Sequence, residues 1–253
     1  MPARHLAPGR LAVLAGLSCL AAAGCAAGTP AAGTPAAGTA HGQPGSRGPA
    51  GTGAGTPAAA WTVLPAQLGD TWVYAVDSSV FGTGTETVKI TAVKPVAGGQ
   101  RATMAASLRL AGSPAPLNFT VQFTEAADGS ITFASTSFMG ARLAFSSVSW
   151  PSPATLTPGR PRTSTITPAG LPGTKTTEHL TITDIGPAPV TVPAGSYQAT
   201  LLEQTVTAGA GSQNTVKTWI VNGIGQVKTE TTVTVEGKPF ASSVQTLTSF
   251  TKG

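Results

Sequence analysis

The sequence predicts an all-β, antiparallel fold, built as a curved sheet, an open barrel or a sandwich and preceded by a disordered tether. Three observations predict it. From Trp61 onward, short segments alternate apolar and polar residues with period two. Thr, Val and Ala dominate the composition, and β-branched side chains suit a pleated, half-buried surface. Finally, 31 Gly and 21 Pro punctuate the 253 residues, and nothing after Trp61 sustains helical spacing.

The expected strands follow in order. Thr71–Val76 comes first, then Thr85–Val93 and Ala102–Leu110. Across Leu117–Thr124 the alternation is nearly perfect. It sends Leu117, Phe119, Val121 and Phe123 to one face and the polar residues to the other. Asp128-Gly129 predicts a tight hairpin into Ile131–Phe133, because both residue types tolerate positive φ. Between Trp150 and Lys175 stand Pro151, Pro153, Pro158, Pro161, Pro168 and Pro172. Proline has no N–H for a ladder, so this stretch predicts a long connection. Lys175–Ile185, Ser196–Val206 and Thr215–Val221 are the next strands. Gln226–Val235 and Phe240–Phe250 close the chain around a Glu236-Gly237 turn. Either half alone would leave open edges, which favours one domain over residues 61–253.

The N-terminus has a different character. Arg4, His5 and Arg10 precede an apolar run from Leu11 to Ala23. That run is shorter than the ~20 residues a membrane span takes, but it suits the core of an export signal. It ends in Ala22-Ala23-Gly24-Cys25, which resembles the lipobox of bacterial lipoproteins, with Ala22 where Leu is usual and Leu20 just upstream. The resemblance implies a signal peptide over 1–24, cleavage before Cys25, and a thioether-linked diacylglycerol on that cysteine, carrying acyl chains such as palmitate. The alternative is an ordinary secretory signal cut after Ala21-x-Ala23, which would release a soluble protein. Residues 25–60, with Gly-Thr-Pro-Ala-Ala repeats, contain almost nothing large and apolar and predict a disordered tether. As a coil of about 35 residues its reach is roughly 30–35 Å.

Three short motifs lie inside the expected fold: Gly69-Asp70-Thr71-Trp72-Val73-Tyr74, Val192-Pro193-Ala194-Gly195-Ser196-Tyr197 and Gly223-Ile224-Gly225-Gln226-Val227-Lys228. In this order they resemble a broad group of uncharacterised bacterial envelope proteins with a G-x-x-W-x-Y opening, a V-P-A-G-x-[FY] turn and a G-[IV]-G-x-V-K strand start. At greater distance the chain resembles lipoprotein carriers built as open β-barrels around a greasy cavity. The resemblance implies an extracytoplasmic antiparallel fold and carries over no catalytic residue. Read as local structure, Pro193 and Gly195 make a turn, Asn222-Gly223 a hairpin, and Gly225 a place for a bulge. Trp72, Tyr74, Tyr197 and Trp219 read as core or rim aromatics.

Charge and motif content exclude several functions. Arg4, Arg10 and Arg47 precede the fold, leaving 12 basic residues against 10 acidic ones and no basic patch, so no nucleic-acid partner is expected. Both cysteines, Cys19 and Cys25, lie before the fold, and His179 is its one histidine. A His/Cys metal site cannot be built from that set, and neither a metal nor a cofactor is implied. No G-x-S-x-G accompanies His179, which is expected at the rim or surface. Ser249-x-x-Lys252 lacks a helix, and the G-x-G at Gly223 lacks its third glycine. The expected function is therefore a lipid-anchored, non-catalytic domain on the extracytoplasmic face of the bacterial cell membrane, with a lipid or an envelope protein as partner. Leu117, Phe119, Val121, Phe123, Leu201 and Trp219 are candidates to line an amphiphile pocket. An envelope hydrolase using Asp77, Glu86, Glu203 or Glu230 is the catalytic alternative, and a structural spacer the bland one.

Overall fold

The computed structural model describes residues 63–138, 141–166, 178–208 and 211–253. The expected signal peptide (1–24), Cys25 and the tether (25–60) lie outside the described residues.

Twelve strands form one antiparallel sheet. They are β1 (Thr71–Ser78), β2 (Gly82–Val96), β3 (Gly99–Leu110), β4 (Leu117–Ala126), β5 (Ile131–Phe138) and β6 (Ala141–Trp150), followed by β7 (Arg162–Ile166), β8 (Glu178–Val192), β9 (Gly195–Ala208), β10 (Ser212–Val221), β11 (Gly225–Val235) and β12 (Lys238–Thr251). The spatial order is β6-β5-β4-β3-β2-β1-β12-β11-β10-β9-β8-β7. Each strand pairs with its sequence neighbour and β1 pairs with β12, so the chain describes a ring broken only between β6 and β7.

The ring has to curl. Twelve strands laid flat would put the two edges about 53 Å apart. Residues 151–161, which join those edges, reach roughly 40 Å even when fully extended. They are not fully extended, because a single 3-10 turn occupies Pro153–Thr155. Curling is also visible inside the sheet, where Cα atoms of β8 come within 8 Å of β11 and β12. In a flat sheet these strands would lie about 14 and 19 Å away. One bulge between Asp184 and Gly186, with Gly186 at φ +108°, bends β8.

The core is a single cluster on the concave face. Its largest fully buried side chains include Trp72, Trp150, Phe123, Ile90, Ile131 and Leu247. Alternation places it. β1 buries Trp72, Tyr74 and Val76, and β4 buries Phe119, Val121, Phe123 and Glu125. Each fully buried large apolar side chain contributes ~1.5–3 kcal/mol.

Three departures from the sequence expectation have physical reasons. β6 was not anticipated, and β7 falls inside the stretch expected to be a connection. β7 is a five-residue edge strand between Pro161 and Pro168, so no proline sits in its ladder. β8 continues past Ile185 through Pro187 and Pro189 to Val192. It can, because β7 pairs only with Glu178–Ile182 and leaves the lower half of β8 as an edge. At Glu236-Gly237 both residues have positive φ (52° and 73°), the two-residue hairpin expected there. At Asp128-Gly129 only Gly129 does, and the Asp128 carboxylate instead accepts from the backbone and hydroxyl of Ser130.

Candidate functional site

The three sequence motifs meet at one end of the ring, where β11 peels away from β12. The β11–β12 ladder stops at Lys228↔Thr246, whereas β12 runs on beside β1 to Thr251. Groups below that point are satisfied by side chains and by a turn. The Trp72 indole N–H donates to the Ile224 carbonyl (2.6 Å) and the Tyr74 hydroxyl to the Gln226 carbonyl (3.0 Å). The Ala194 N–H donates to the Leu247 carbonyl (3.0 Å), and the Tyr197 hydroxyl returns to the Ala194 carbonyl (3.0 Å). Trp72 also stacks on Phe250 with ring centroids 5.3 Å apart. The aromatics of the first motif thus close a split in the sheet by holding the backbone of the third, 152 positions away. Burial and the neighbouring Glu86 push the Tyr74 hydroxyl far above its ordinary pKa, so it stays a neutral donor.

The segment before β1 completes this end. Val63 and Ala66 are 1% and 3% exposed although neither belongs to a strand. Asp70, fully buried, accepts from the backbone N–H groups of Gln67 and Gly253. Gly225, at φ +91°, lies under the segment, and a Cβ there would stand 3.3 Å from Pro65 and 3.4 Å from Leu64. Only glycine combines that backbone with that approach.

Inside, the concave face has two characters. The β1–β5 half presents Val88, Ile90, Met104, Phe119, Val121, Phe123 and Ile131. Toward β9–β12 the buried residues include Gln204, Thr218, Thr229, Thr231 and Gln245. Glu86 stands at the boundary, 3% exposed, and accepts from Gln245 Nε2 at 2.7 Å. A cavity of about 30 Å³ lies where the halves meet, walled by Val63 and Leu64, by Val88, Met104, Ala106, Phe119, Ile131 and Phe133, and by Tyr74, Glu86, Gln226 and Gln245. This is room for one or two waters. Small-molecule pockets start at roughly 300 Å³. A shallower depression of about 240 Å³ on the β8–β9 hairpin, beside Tyr197, opens directly to solvent.

Of the six residues expected around an amphiphile pocket, Phe119 lines the cavity, while Val121 and Phe123 are packed core. Leu117 is half-buried against that core. Leu201 and Trp219 pair with each other, out of phase with the buried Leu202 and Thr218; Trp219 is partly buried against the core, and Lys228 lies 4.7 Å above its ring. Glu86, Tyr74 and Gln245 carried no sequence signal as a group, because their meeting depends on the β1–β12 pairing.

The carboxylates considered for hydrolysis are dispersed. Glu86 is interior; Glu203 and Glu230 lie on the convex face beside Lys217 and Lys228, and Asp77 is exposed. His179 is exposed on β8. Among the described residues no group of three or more His, Cys, Asp and Glu is arranged to hold a metal ion. Glu125, buried on β4, accepts from Gln100 Nε2 at 2.7 Å, and Gln100 also donates to the Ala66 carbonyl. Desolvation raises the Glu125 pKa above 4.5, and the hydrogen bond only partly offsets it. A raised carboxyl pKa means the native state holds its proton more tightly than the unfolded chain. Stability attributable to this group is therefore highest below the unfolded pKa and falls as pH rises through the folded one. Glu125→Gln keeps an acceptor for Gln100 and is expected to raise the urea midpoint at neutral pH, with no gain in buffer below the ordinary glutamate pKa. A gain of equal size at both pH values would refute this account of Glu125.

No family model and no curated protein sequence matches the chain. Two solved structures resemble it. One is a candidate lipoprotein of Parabacteroides distasonis, 11% identical, with a TM-score of 0.50 over 76% of this chain and 99% of that one. The other is a candidate exported protein of Bacteroides fragilis, described as having a YmcC-like fold, 14% identical, with a TM-score of 0.47 over 76% of this chain and all of its own. At these identities the first likeness shows a shared fold.

Proposed function

We propose that the chain is a lipoprotein anchored through Cys25 to the extracytoplasmic face of a bacterial cell membrane, and that its β-domain binds an amphiphile in the concave interior without transforming it. The observation that carries the binding reading is the two-sided interior. Apolar side chains from β1–β5 face a mixed set from β9–β12, where Gln204, Thr218, Thr229 and Thr231 stand among Leu202, Val216, Ile220, Val227 and Leu247, with Glu86 and Gln245 where the halves meet. A molecule with one greasy and one polar portion matches that division by burial and hydrogen bonding. Entry requires the interior to widen, since about 30 Å³ admits no acyl chain. The missing β6–β7 pairing gives the ring a place to widen without breaking a ladder. The export signal, the lipobox-like Ala22–Cys25 and the fold shared with a candidate lipoprotein support the location.

A second reading has its own observation. Val80 and Phe81 in the β1–β2 turn and Val235 and Phe240 at the facing ends of β11 and β12 are all exposed, at the end away from Val63. The turns are tied by the Ser79 N–H to the Ser242 carbonyl (2.9 Å). Such a cluster suits an envelope protein partner.

Solvent extraction of the purified full chain followed by mass spectrometry tests the first reading. Non-covalent lipid is expected in the extract, and a dansyl-labelled undecanoic acid is expected to bind with saturation and a blue-shifted emission. A lipid-free protein that also leaves the probe's emission unchanged would transfer the function to the partner reading.

A further inference from the structure

We infer that residues 63–66 are a displaceable plug occupying the ligand's space at the lower mouth of the interior. The inference rests on the amphiphile reading and says what holds the site shut. Val63 and Leu64 form one wall of the interior cavity, opposite the Glu86–Gln245 pair. The segment enters no ladder, since the first strand begins at Thr71. Its tie to the sheet is the Gln100 Nε2–Ala66 carbonyl bond of 3.0 Å together with apolar contact over Gly225. Below it, Gly69 and Asp70 are fixed firmly: the Gly69 N–H donates to the Ile90 carbonyl and the Ile90 N–H to the Asp70 carbonyl, both at 2.9 Å. A segment held by side-chain burial and one hydrogen bond, outside any ladder and beside a rigid staple, can swing out while the sheet stays intact.

What would replace it is an unbranched acyl chain. The wall it vacates is apolar, and no Lys, Arg or His lines the cavity among the described residues. The plug lies just after the residues read as the tether, so the chain leads from this mouth toward Cys25. Ligand would exchange at the membrane side, in competition with the chain's own Val63 and Leu64.

Two measurements on the full chain test this. Hydrogen exchange of the wild type should show the amides of Val63, Leu64 and Ala66 exchanging at least a hundredfold faster than those buried in β1. Equal protection would overturn the plug and leave the binding reading untouched. Titration with the dansyl-labelled undecanoic acid should show the V63S/L64S variant binding at least tenfold more tightly than the wild type. Unchanged or weaker binding by the folded variant would overturn the plug. If the amides exchange fast and neither protein binds the probe, the amphiphile reading fails, and the plug with it.

Discussion

Trp72→Ala is expected to lower the unfolding free energy by about 3–5 kcal/mol, the range for removing a large aromatic from a packed core. Trp72 is 0% exposed, stacks on Phe250, and satisfies the Ile224 carbonyl where β12 provides no ladder. The substitution removes packing and an N–H donor together, and a carbonyl left buried and unmatched costs a further ~1–3 kcal/mol if water cannot reach it. Trp72→Phe separates the two, since it keeps most of the stacking and loses the donor; its loss should be smaller. Urea denaturation of the three proteins measures both. An alanine variant within about 0.5 kcal/mol of wild type would mean that the junction between β11 and β12 is held by something else.

Cys25→Ser is expected to move the protein from the membrane fraction to the medium, or to leave an uncut precursor. Serine offers no thiol for the thioether. At ~0.8 kcal/mol per buried methylene, two acyl chains anchor stably and one only marginally. Fractionation and immunoblotting give the answer. If the variant were processed at the same bond and still sedimented with membranes to the wild-type extent, attachment through Cys25 would be ruled out, and the folded part would have to hold the membrane by itself.

The fold class was legible because period-two alternation is a local property. Each of β1, β3, β4 and β11 can be read from its own residues. What escaped detection depends on neighbours. β7 reads as a broken loop until it is seen to be a short edge strand flanked by prolines. Pro187 and Pro189 seem to end a strand until the short β7 leaves their side of β8 as an edge. The interior escaped for the same reason. Glu86, Gln245 and Tyr74 are single polar residues in ordinary alternating strands, and nothing in the sequence says that β1 lies between β2 and β12. Leu201 and Trp219 are as apolar as any core residue but stand one position out of phase with Leu202 and Thr218 and are only partly buried. A one-residue shift decides inside from outside in a strand, and residue type alone does not reveal it.

Pairing of β1 with β12 also bears on how the chain reaches this state. Thr71 meets Thr251 and Ser78 meets Ser243, so the centre of the sheet joins segments separated by most of the folded sequence. Synthesis delivers β1 first and β12 last of the strands. Until β12 arrives, the β1–β6 meander has a bare edge at β1 as well as at β6, and β7–β11 cannot be joined to it. Contacts of such long range make folding slow, on the scale of milliseconds to seconds. During that interval the waiting edge can recruit a strand from another chain. The yield of folded chain would then depend on how quickly the last strand follows the first, with dilution or a chaperone as the protection against cross-pairing.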